Sequence, residues 1–186
     1  MIDYLTLMLM GLVAGLLTAA WFFWKGVEHA DSKGFAAPFG VIGALAFVTG
    51  LHMTLTWPIP YHWADLAFGE SFALFGAVLL ATSLALAKGW SIKPVAALAL
   101  VAGLAAITVG ISLGLLGLTK MPMLTLASYL SAGLGGVLTP LALLMPSRRA
   151  WEKIVAVVLL LSAILWAVTG FGSIYQHLAD WSGKLT

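Results

Sequence analysis

Six long apolar segments separated by short polar loops make up almost the whole chain. A helix needs about 20 mostly apolar residues to cross the hydrocarbon core of a bilayer, and each segment reaches that length. Backbone polar groups in hydrocarbon must be satisfied within their own segment, so these segments adopt helices. The sequence therefore predicts an all-α integral membrane bundle of six transmembrane helices, forming one domain over residues 1–186. The predicted spans are Tyr4–Trp24, Phe35–Trp57, Leu66–Lys88, Pro94–Leu118, Leu124–Pro146 and Ile154–Tyr175.

The amino-acid composition excludes several classes of protein and of site. Hydrophobic residues make up 62% of the chain and charged residues only 9%, unlike soluble globular domains. The formal net charge of +2 comes from so few groups that we expect no nucleic-acid partner. The chain has no cysteine, which rules out disulfides, thiolate metal sites and iron–sulfur clusters. The first apolar segment lacks the basic start of a signal peptide, so we expect it to be retained as a helix.

The basic residues are distributed unevenly between the two sets of alternate loops. Seven follow the odd-numbered spans, whereas the opposite side holds only Lys120 and Lys184. Loops rich in Lys and Arg stay in the cytoplasm, so both termini are predicted to lie outside. The expected location is the plasma membrane of a prokaryote, with the lipid bilayer as a partner. The seven residues are Lys25, Lys33, Lys88, Lys93, Arg148, Arg149 and Lys153.

Small residues recur at four-residue spacing in three of the predicted spans. Such residues let helix backbones approach closely, which is how helices associate in a solvent as apolar as their own side chains. The pattern predicts helix interfaces, either inside one protomer or between protomers, and we expect a homo-oligomer. The residues are Gly11 and Gly15, Ala46 and Gly50, and Ala106, Gly110 and Gly114.

Polar side chains gather towards the predicted outer end of three spans. His52 and Thr56 lie one turn apart on one face of the second span, and Glu70 lies near the start of the third. Polar residues recur at helical spacing along the end of the last span. An ionisable residue at membrane depth is costly and indicates function. The sequence therefore predicts an outer vestibule or ligand-binding site built from His52, Thr56, Glu70, Thr169, Ser173, His177 and Asp180.

His52 is the first candidate, because it lies in an apolar helix just before the break at Trp57 and Pro58. It has the chemistry of a gate, a proton sensor, a metal ligand or a haem ligand. The alternative is an interfacial histidine bonded to a neighbouring carbonyl. Glu70 is its expected partner, since a carboxylate fixes the tautomer of an imidazole. Glu70 alone would be an acid favoured by the dipole at a helix start.

Four residues have the donor atoms for a metal or a haem. His52 and His177 form a possible axial pair for haem b, and the four together offer the nitrogen and oxygen ligands of a metal. No tight spacing motif marks either cofactor, and His62 lies in an aromatic loop. The sequence also lacks the Gly-rich phosphate loop and the catalytic motifs of hydrolases, so a hydrolytic or phosphoryl-transfer enzyme is not expected. The set is His52, His62, Glu70 and His177.

Three motifs resemble a small uncharacterised six-span family of archaea and bacteria, and this resemblance covers essentially the whole chain. The motifs are Gly50-Leu51-His52-Met53, Thr56-Trp57-Pro58-Ile59-Pro60 and Phe68-Gly69-Glu70. That family implies no established activity.

A second, more distant resemblance is to the amide transporter and acid-activated urea channel family. That resemblance implies six spans, external termini and a hexameric ring of protomers. Where the urea channels have a carboxylate inside the last helix, this chain has Leu161, so a urea-selective constriction is not carried over. The local similarities are Leu74-Phe75-Gly76, Gly89-Trp90 with Lys93-Pro94, and Gln176-His177.

Three functions remain open at the level of sequence. The first is a channel or facilitator for a small uncharged solute, with a histidine and carboxylate vestibule at the outer face. The second is a membrane redox or metal-handling subunit that holds haem b or a metal through histidines in the outer half. The third is a structural or assembly subunit whose histidines bind nothing. Few polar residues line the inner halves of the spans, so a channel would be narrow and largely apolar.

Overall fold

The computed structural model describes residues 4–28, 30–145 and 148–182, apart from the side chains at positions 30, 31, 148 and 180. Six helices in it are long and apolar enough to cross a membrane, which confirms the predicted fold class: an all-helical, multi-pass membrane protein. The helices are α1 (Leu5–Lys25), α2 (Ala36–Thr56), α3 (Ser71–Lys88), α4 (Val95–Leu116), α5 (Pro122–Leu144) and α6 (Arg148–Trp181).

The helix ends follow from local backbone chemistry. Gly26, Gly89 and Gly117 follow the last residues of α1, α3 and α4 with positive φ, where a side chain would be strained. Trp57 ends α2 in the same left-handed region, with a φ of 48°, directly before Pro58. Between α2 and α3, a short helical turn leads into a π-helix over Asp65–Glu70. A π-helix inserts a residue into the helical register and is frequent at functional sites.

The last helix is longer than its predicted span. It begins at Arg148 instead of Ile154 and continues to Trp181, beyond Tyr175. Hydropathy detects only the part of a helix that lies at hydrocarbon depth, whereas the polar turns at each end keep helical geometry. The extension brings Arg149 against the end of α1, where its guanidinium donates to the Trp24 carbonyl at 3.1 Å.

The six helices form a closed ring in chain order. Each helix packs beside its neighbours in sequence, and α6 completes the ring by packing along α1. We call the end that carries Leu5 and Trp181 the terminal end. The opposite end, which carries Lys25, Lys88 and Arg149, is called the basic end. The hydrophobic core lies inside the ring and contains residues of all six helices.

Glycines allow the closest approaches between neighbouring helices. A Cβ atom on Gly103 of α4 would lie 2.6 Å from the Gly133 carbonyl oxygen of α5. A Cβ on Gly43 of α2 would lie 2.8 Å from the Leu80 amide nitrogen of α3. Backbones at this distance leave no room for a side chain, so the two helix pairs depend on glycine.

The small residues singled out in the sequence face partners inside the protomer. A Cβ on Gly15 would meet the Phe75 ring at 2.6 Å, and one on Gly114 would meet Leu126 at 3.1 Å. Ala46 is completely buried. Helix interfaces within one protomer therefore account for the spacing of these small residues. The expected homo-oligomer stays a prediction.

Candidate functional site

A cavity of about 160 Å³ lies along the axis of the helix ring, and all six helices contribute to its wall. On α1 the lining residues run from Leu5 near the terminal end to Phe23 near the basic end. At 1.5 Å per residue this corresponds to about 25 Å, most of the hydrocarbon thickness of a bilayer. The cavity is therefore long, narrow and parallel to the helices. None of its described lining residues carries a formal charge.

Aromatic side chains cluster at both ends of this cavity. At the basic end the Phe22 ring meets the Phe23 and Phe39 rings edge on, with centroids 5.6 Å and 5.5 Å apart. In the terminal half the Tyr129 ring lies between Phe68 and Trp166, at 6.2 Å and 5.1 Å. All of these residues line the cavity. One aromatic cluster therefore lies at the basic end of the cavity and the other in its terminal half.

Most polar side chains in the cavity wall already have a partner in the backbone. Thr82 and Thr139 each donate to a carbonyl one turn earlier in the same helix, both at 2.8 Å. The Tyr129 hydroxyl donates to the Ala67 carbonyl at 3.0 Å, within the π-helix segment. Ser71 Oγ and Trp166 Nε1 are buried with no hydrogen-bond partner among the described residues. Ser71 lies near the Tyr129 hydroxyl, outside hydrogen-bond geometry.

His52 lies at the terminal end, exposed on the outside of the ring. Its Nδ1 shares a hydrogen bond with the Tyr4 hydroxyl at 2.6 Å, and the two rings meet edge on at 5.4 Å. Thr56 lies beside it, as predicted from the spacing: its hydroxyl donates to the His52 carbonyl at 2.7 Å and lies 3.4 Å from Nδ1. The observed partner of the imidazole is thus a phenol from the start of α1.

The polar residues of α6 occupy the other flank of α1. His177 Nδ1 lies 3.3 Å from the Thr6 hydroxyl. The Ser173 hydroxyl, one turn earlier, donates to the Thr169 carbonyl at 2.9 Å. The side chain of Asp180 lies outside the part of the chain that the structure describes. His52 and His177 therefore share the terminal end, with the first turn of α1 between them.

Glu70 and His62 lie apart from these pairs. Glu70 is exposed, and the structure pairs His52 with Tyr4 in its place. The His62 ring packs against the Trp57 indole, with centroids 4.9 Å apart. Over the described residues, no group of three or more His, Asp or Glu side chains is arranged to hold a metal ion. Whether any of the predicted site residues binds a ligand stays a prediction.

Asp65 is a buried carboxylate whose burial the sequence did not indicate. It is completely buried at the start of the π-helix, and its Oδ1 accepts the Ile59 amide at 3.3 Å. Its Oδ2 has no partner among the described residues. Partial burial raises the pKa of Tyr4, and the nearby negative charge of Asp65 raises it further. The sequence contained a sign of this burial, because Asp65 directly precedes an apolar span. An acidic residue at the start of a helix is, however, ordinarily explained by its favourable interaction with the helix dipole.

A second buried carboxylate organises the basic end. Glu152 is 2% exposed, forms an ion pair of 2.9 Å with Arg149, and accepts the Val27 amide at 3.3 Å. Lys153 donates to the Trp24 carbonyl at 2.8 Å and lies 3.5 Å from the centroid of that indole ring. These contacts satisfy the Trp24 carbonyl and the Val27 amide at the end of α1, so the cluster has a structural role.

No curated protein and no solved structure matches this chain. One family model covers residues 1–180, which is nearly the whole chain and all six helices. The chain therefore belongs to the family described as DUF981, protein of unknown function.

Proposed function

We propose that this protein is a membrane channel or facilitator for a small uncharged solute, which passes along the axis of the helix ring. The observation that carries the proposal is the axial cavity, because residues of all six helices line it and its wall extends for about 25 Å along α1, with no charged side chain among the described lining residues. A structural subunit has no need of a space along its axis. A charged solute would lose its hydration in this cavity with no group to replace it.

The two aromatic clusters support a gated path. Hydrophobic constrictions close a pore by excluding water, and they open through small side-chain movements. Phe22, Phe23 and Phe39 would form the constriction at the basic end, and Phe68, Tyr129 and Trp166 the one in the terminal half. Narrow pores for neutral solutes need few polar groups, which fits the wall of this cavity.

The residues predicted as a vestibule have a different role in this proposal. His52 with Thr56, and His177 with Ser173, lie on either flank of α1 and do not line the cavity. They would form a hydrated rim around the mouth at the terminal end. By the bias of Lys and Arg towards the basic end, that mouth faces the outside of a prokaryotic plasma membrane.

The distant resemblance to the amide transporter and urea channel family supports the number of spans and the chemical class of an uncharged solute. Leu161, at the position of that family's carboxylate, is 54% exposed on the outside of the ring. The constriction in this chain is therefore built from other residues, and urea selectivity is not part of the proposal.

The test is to narrow the cavity without disturbing the outer surface. In the Ala102→Leu variant a larger side chain enters the cavity wall, whereas Val101→Leu changes the neighbouring residue, which is 59% exposed to lipid. Proteoliposomes with the purified protein are mixed with hyperosmotic urea, acetamide or glycerol, and re-swelling is followed by light scattering. We expect Ala102→Leu to slow re-swelling at least about tenfold for the permeant solute. Val101→Leu should match the original protein.

Three results would contradict the proposal. The first is re-swelling no faster than that of empty liposomes for every solute, although circular dichroism shows a folded protein. The second is a purified protein with a Soret band that disappears in a His52→Ala variant, which would favour the redox function. The third is an equal slowing of re-swelling by Ala102→Leu and Val101→Leu, which would place the path outside the ring.

A further inference from the structure

The Trp166 indole is a buried hydrogen-bond donor in the wall of the axial cavity. Trp166 is 3% exposed, and its Nε1 has no acceptor among the described residues. An otherwise apolar cavity offers a water molecule few further hydrogen-bond partners, so an unpaired N–H group in its wall is costly. A phenylalanine would fill much of the same space without this cost. The donor therefore needs a physical reason to be there.

The surroundings of Trp166 offer no strong acceptor of their own. The Tyr129 ring meets the indole edge to face at 5.1 Å, and an aromatic face accepts a hydrogen bond only weakly. The Tyr129 hydroxyl is already committed to the Ala67 carbonyl. Ser71 Oγ, the second unpartnered polar atom of the cavity wall, lies near that hydroxyl. The unpaired groups are thus confined to one region, in the terminal half of a cavity that is otherwise apolar.

We propose that the cavity binds a neutral, largely apolar molecule with one hydrogen-bond acceptor, a carbonyl or hydroxyl oxygen, which pairs with the Trp166 indole N–H. This inference rests on the proposed function, since it names the class of solute. A cavity of ~150 Å³ in a protein core is large enough to bind benzene. The volume here, about 160 Å³, fits a molecule of similar size, and its length and narrowness favour a short chain over a ring.

The position of the donor sets the orientation of the bound molecule. Its oxygen lies in the terminal half with Trp166 and Ser71, and its apolar chain lies towards the basic end among residues such as Leu16 and Leu79. The hydroxyls of Thr82 and Thr139, further along the wall, already donate to backbone carbonyls. They provide no second donor at that depth, which favours molecules with one polar group over those with two.

The test follows the indole N–H signals of the protein in nanodiscs by nuclear magnetic resonance. The chain has eight tryptophans, and the signal missing in a Trp166→Phe variant identifies Trp166. Heptan-2-one is titrated as the ketone probe and heptane as a control of the same chain length. We expect the Trp166 signal alone to move downfield with the ketone and to remain unchanged with heptane, because only the ketone accepts a hydrogen bond.

Affinity measurements extend the test. Heptan-2-one should bind the Trp166→Phe variant about fivefold more weakly than the original protein, the loss expected for one hydrogen bond. A Trp21→Phe variant, which makes the same substitution at an indole that is 60% exposed and does not line the cavity, should bind the ketone as the original protein does. If the Trp166 signal in the original protein does not move, or moves equally with heptane, the inference is overturned. The shift is measured in the original protein, and the Trp166→Phe variant serves only to assign the signal.

The liposome experiment separates this inference from the channel proposal. Solute-driven re-swelling without a ketone-dependent shift at Trp166 overturns the inference and leaves the channel standing. A ketone-dependent shift in a protein that speeds no solute supports the binding site and contradicts the channel.

Discussion

At the scale of single residues, the terminal end combines exposed polar groups with one buried carboxylate. His52 and Thr56 lie as their spacing predicts, on one face of α2, and bond to each other and to Tyr4. Asp65 is fully buried at the same end, and its Oδ1 accepts a hydrogen bond from the Ile59 amide in the loop after α2. Its charge acts on Tyr4, so the buried carboxylate and the exposed histidine are connected through one phenol.

The first prediction concerns the pKa of this phenol. Tyr4 has a pKa above the ordinary value of 10.0, first because it is partly buried and second because of the negative charge of Asp65. An Asp65→Asn variant should therefore have a lower Tyr4 pKa than the original protein. The measurement is an alkaline titration of tyrosinate absorbance, with a Tyr4→Phe variant to isolate the Tyr4 signal.

A matched control tests the cause of this shift. Glu70→Gln removes an exposed carboxylate from the same π-helix, and it should leave the Tyr4 pKa unchanged. An equal effect of both substitutions would contradict the specific influence of Asp65. Because the folded chain holds the Tyr4 proton more tightly than the unfolded chain, stability should also fall as the pH rises past the ordinary tyrosine pKa.

At the scale of helices, glycine decides which pairs pack most closely. Gly103 faces the backbone of α5 at Gly133 and Val137, and Gly43 faces the backbone of α3. Gly172 of α6, in contrast, has open space where a Cβ would point. Glycine is therefore required for close packing at Gly103 but not at Gly172, although the two positions look alike in the sequence.

The second prediction compares two glycine-to-alanine substitutions. Gly103→Ala should lower the free energy of unfolding by about 1–3 kcal/mol, because the new Cβ meets backbone atoms that cannot move aside. Gly172→Ala should be neutral or stabilising by up to about 1 kcal/mol, the helix preference of alanine over glycine. Unfolding in mixed detergent micelles, followed by circular dichroism, measures both. Equal stabilities for the two variants would show that α4 and α5 do not approach as described.

At the scale of the whole molecule, the ring of six helices creates a space that no single helix contains. The cavity wall takes residues from every helix, and α6 packs along α1 to complete the ring. The described part of the chain begins and ends at the terminal end, because the number of its spans is even. Three features therefore occur at fixed positions along one axis: the His52 and His177 side chains on either side of α1, the axial cavity and the basic end.

The third prediction concerns the orientation of this axis in the membrane. The chain has no cysteine, so a single introduced thiol can be labelled without background. Tyr61 at the terminal end is 63% exposed, and Trp90 at the basic end is 61% exposed. In intact cells, a membrane-impermeant maleimide should label Tyr61→Cys and should label Trp90→Cys only after lysis, as the distribution of Lys and Arg predicts. The reverse pattern would invert the proposed direction of the channel.

The candidate site could be predicted only in part. The spacing of His52 and Thr56 placed them side by side correctly, since four residues make about one helical turn. The pairing of His52 with Tyr4 depends on the rotation of α1 relative to α2. The spacing of residues within one helix carries no information about that rotation. The cavity was missed for a similar reason: Trp166 and Tyr129 look like ordinary apolar residues until two helices bring their rings together.

The sequence alone determined the number of spans, their helical state and the side on which the basic residues gather. These follow from the length and hydropathy of each segment, which are local quantities in a bilayer. Only the tertiary structure decided which faces point inward, where the cavity lies and that Asp65 and Glu152 are buried. In a membrane, helices are apolar on all sides, so polarity does not mark the buried face. Close packing at glycines such as Gly103 sets the rotation of each helix, and that depends on contacts between residues far apart in the chain.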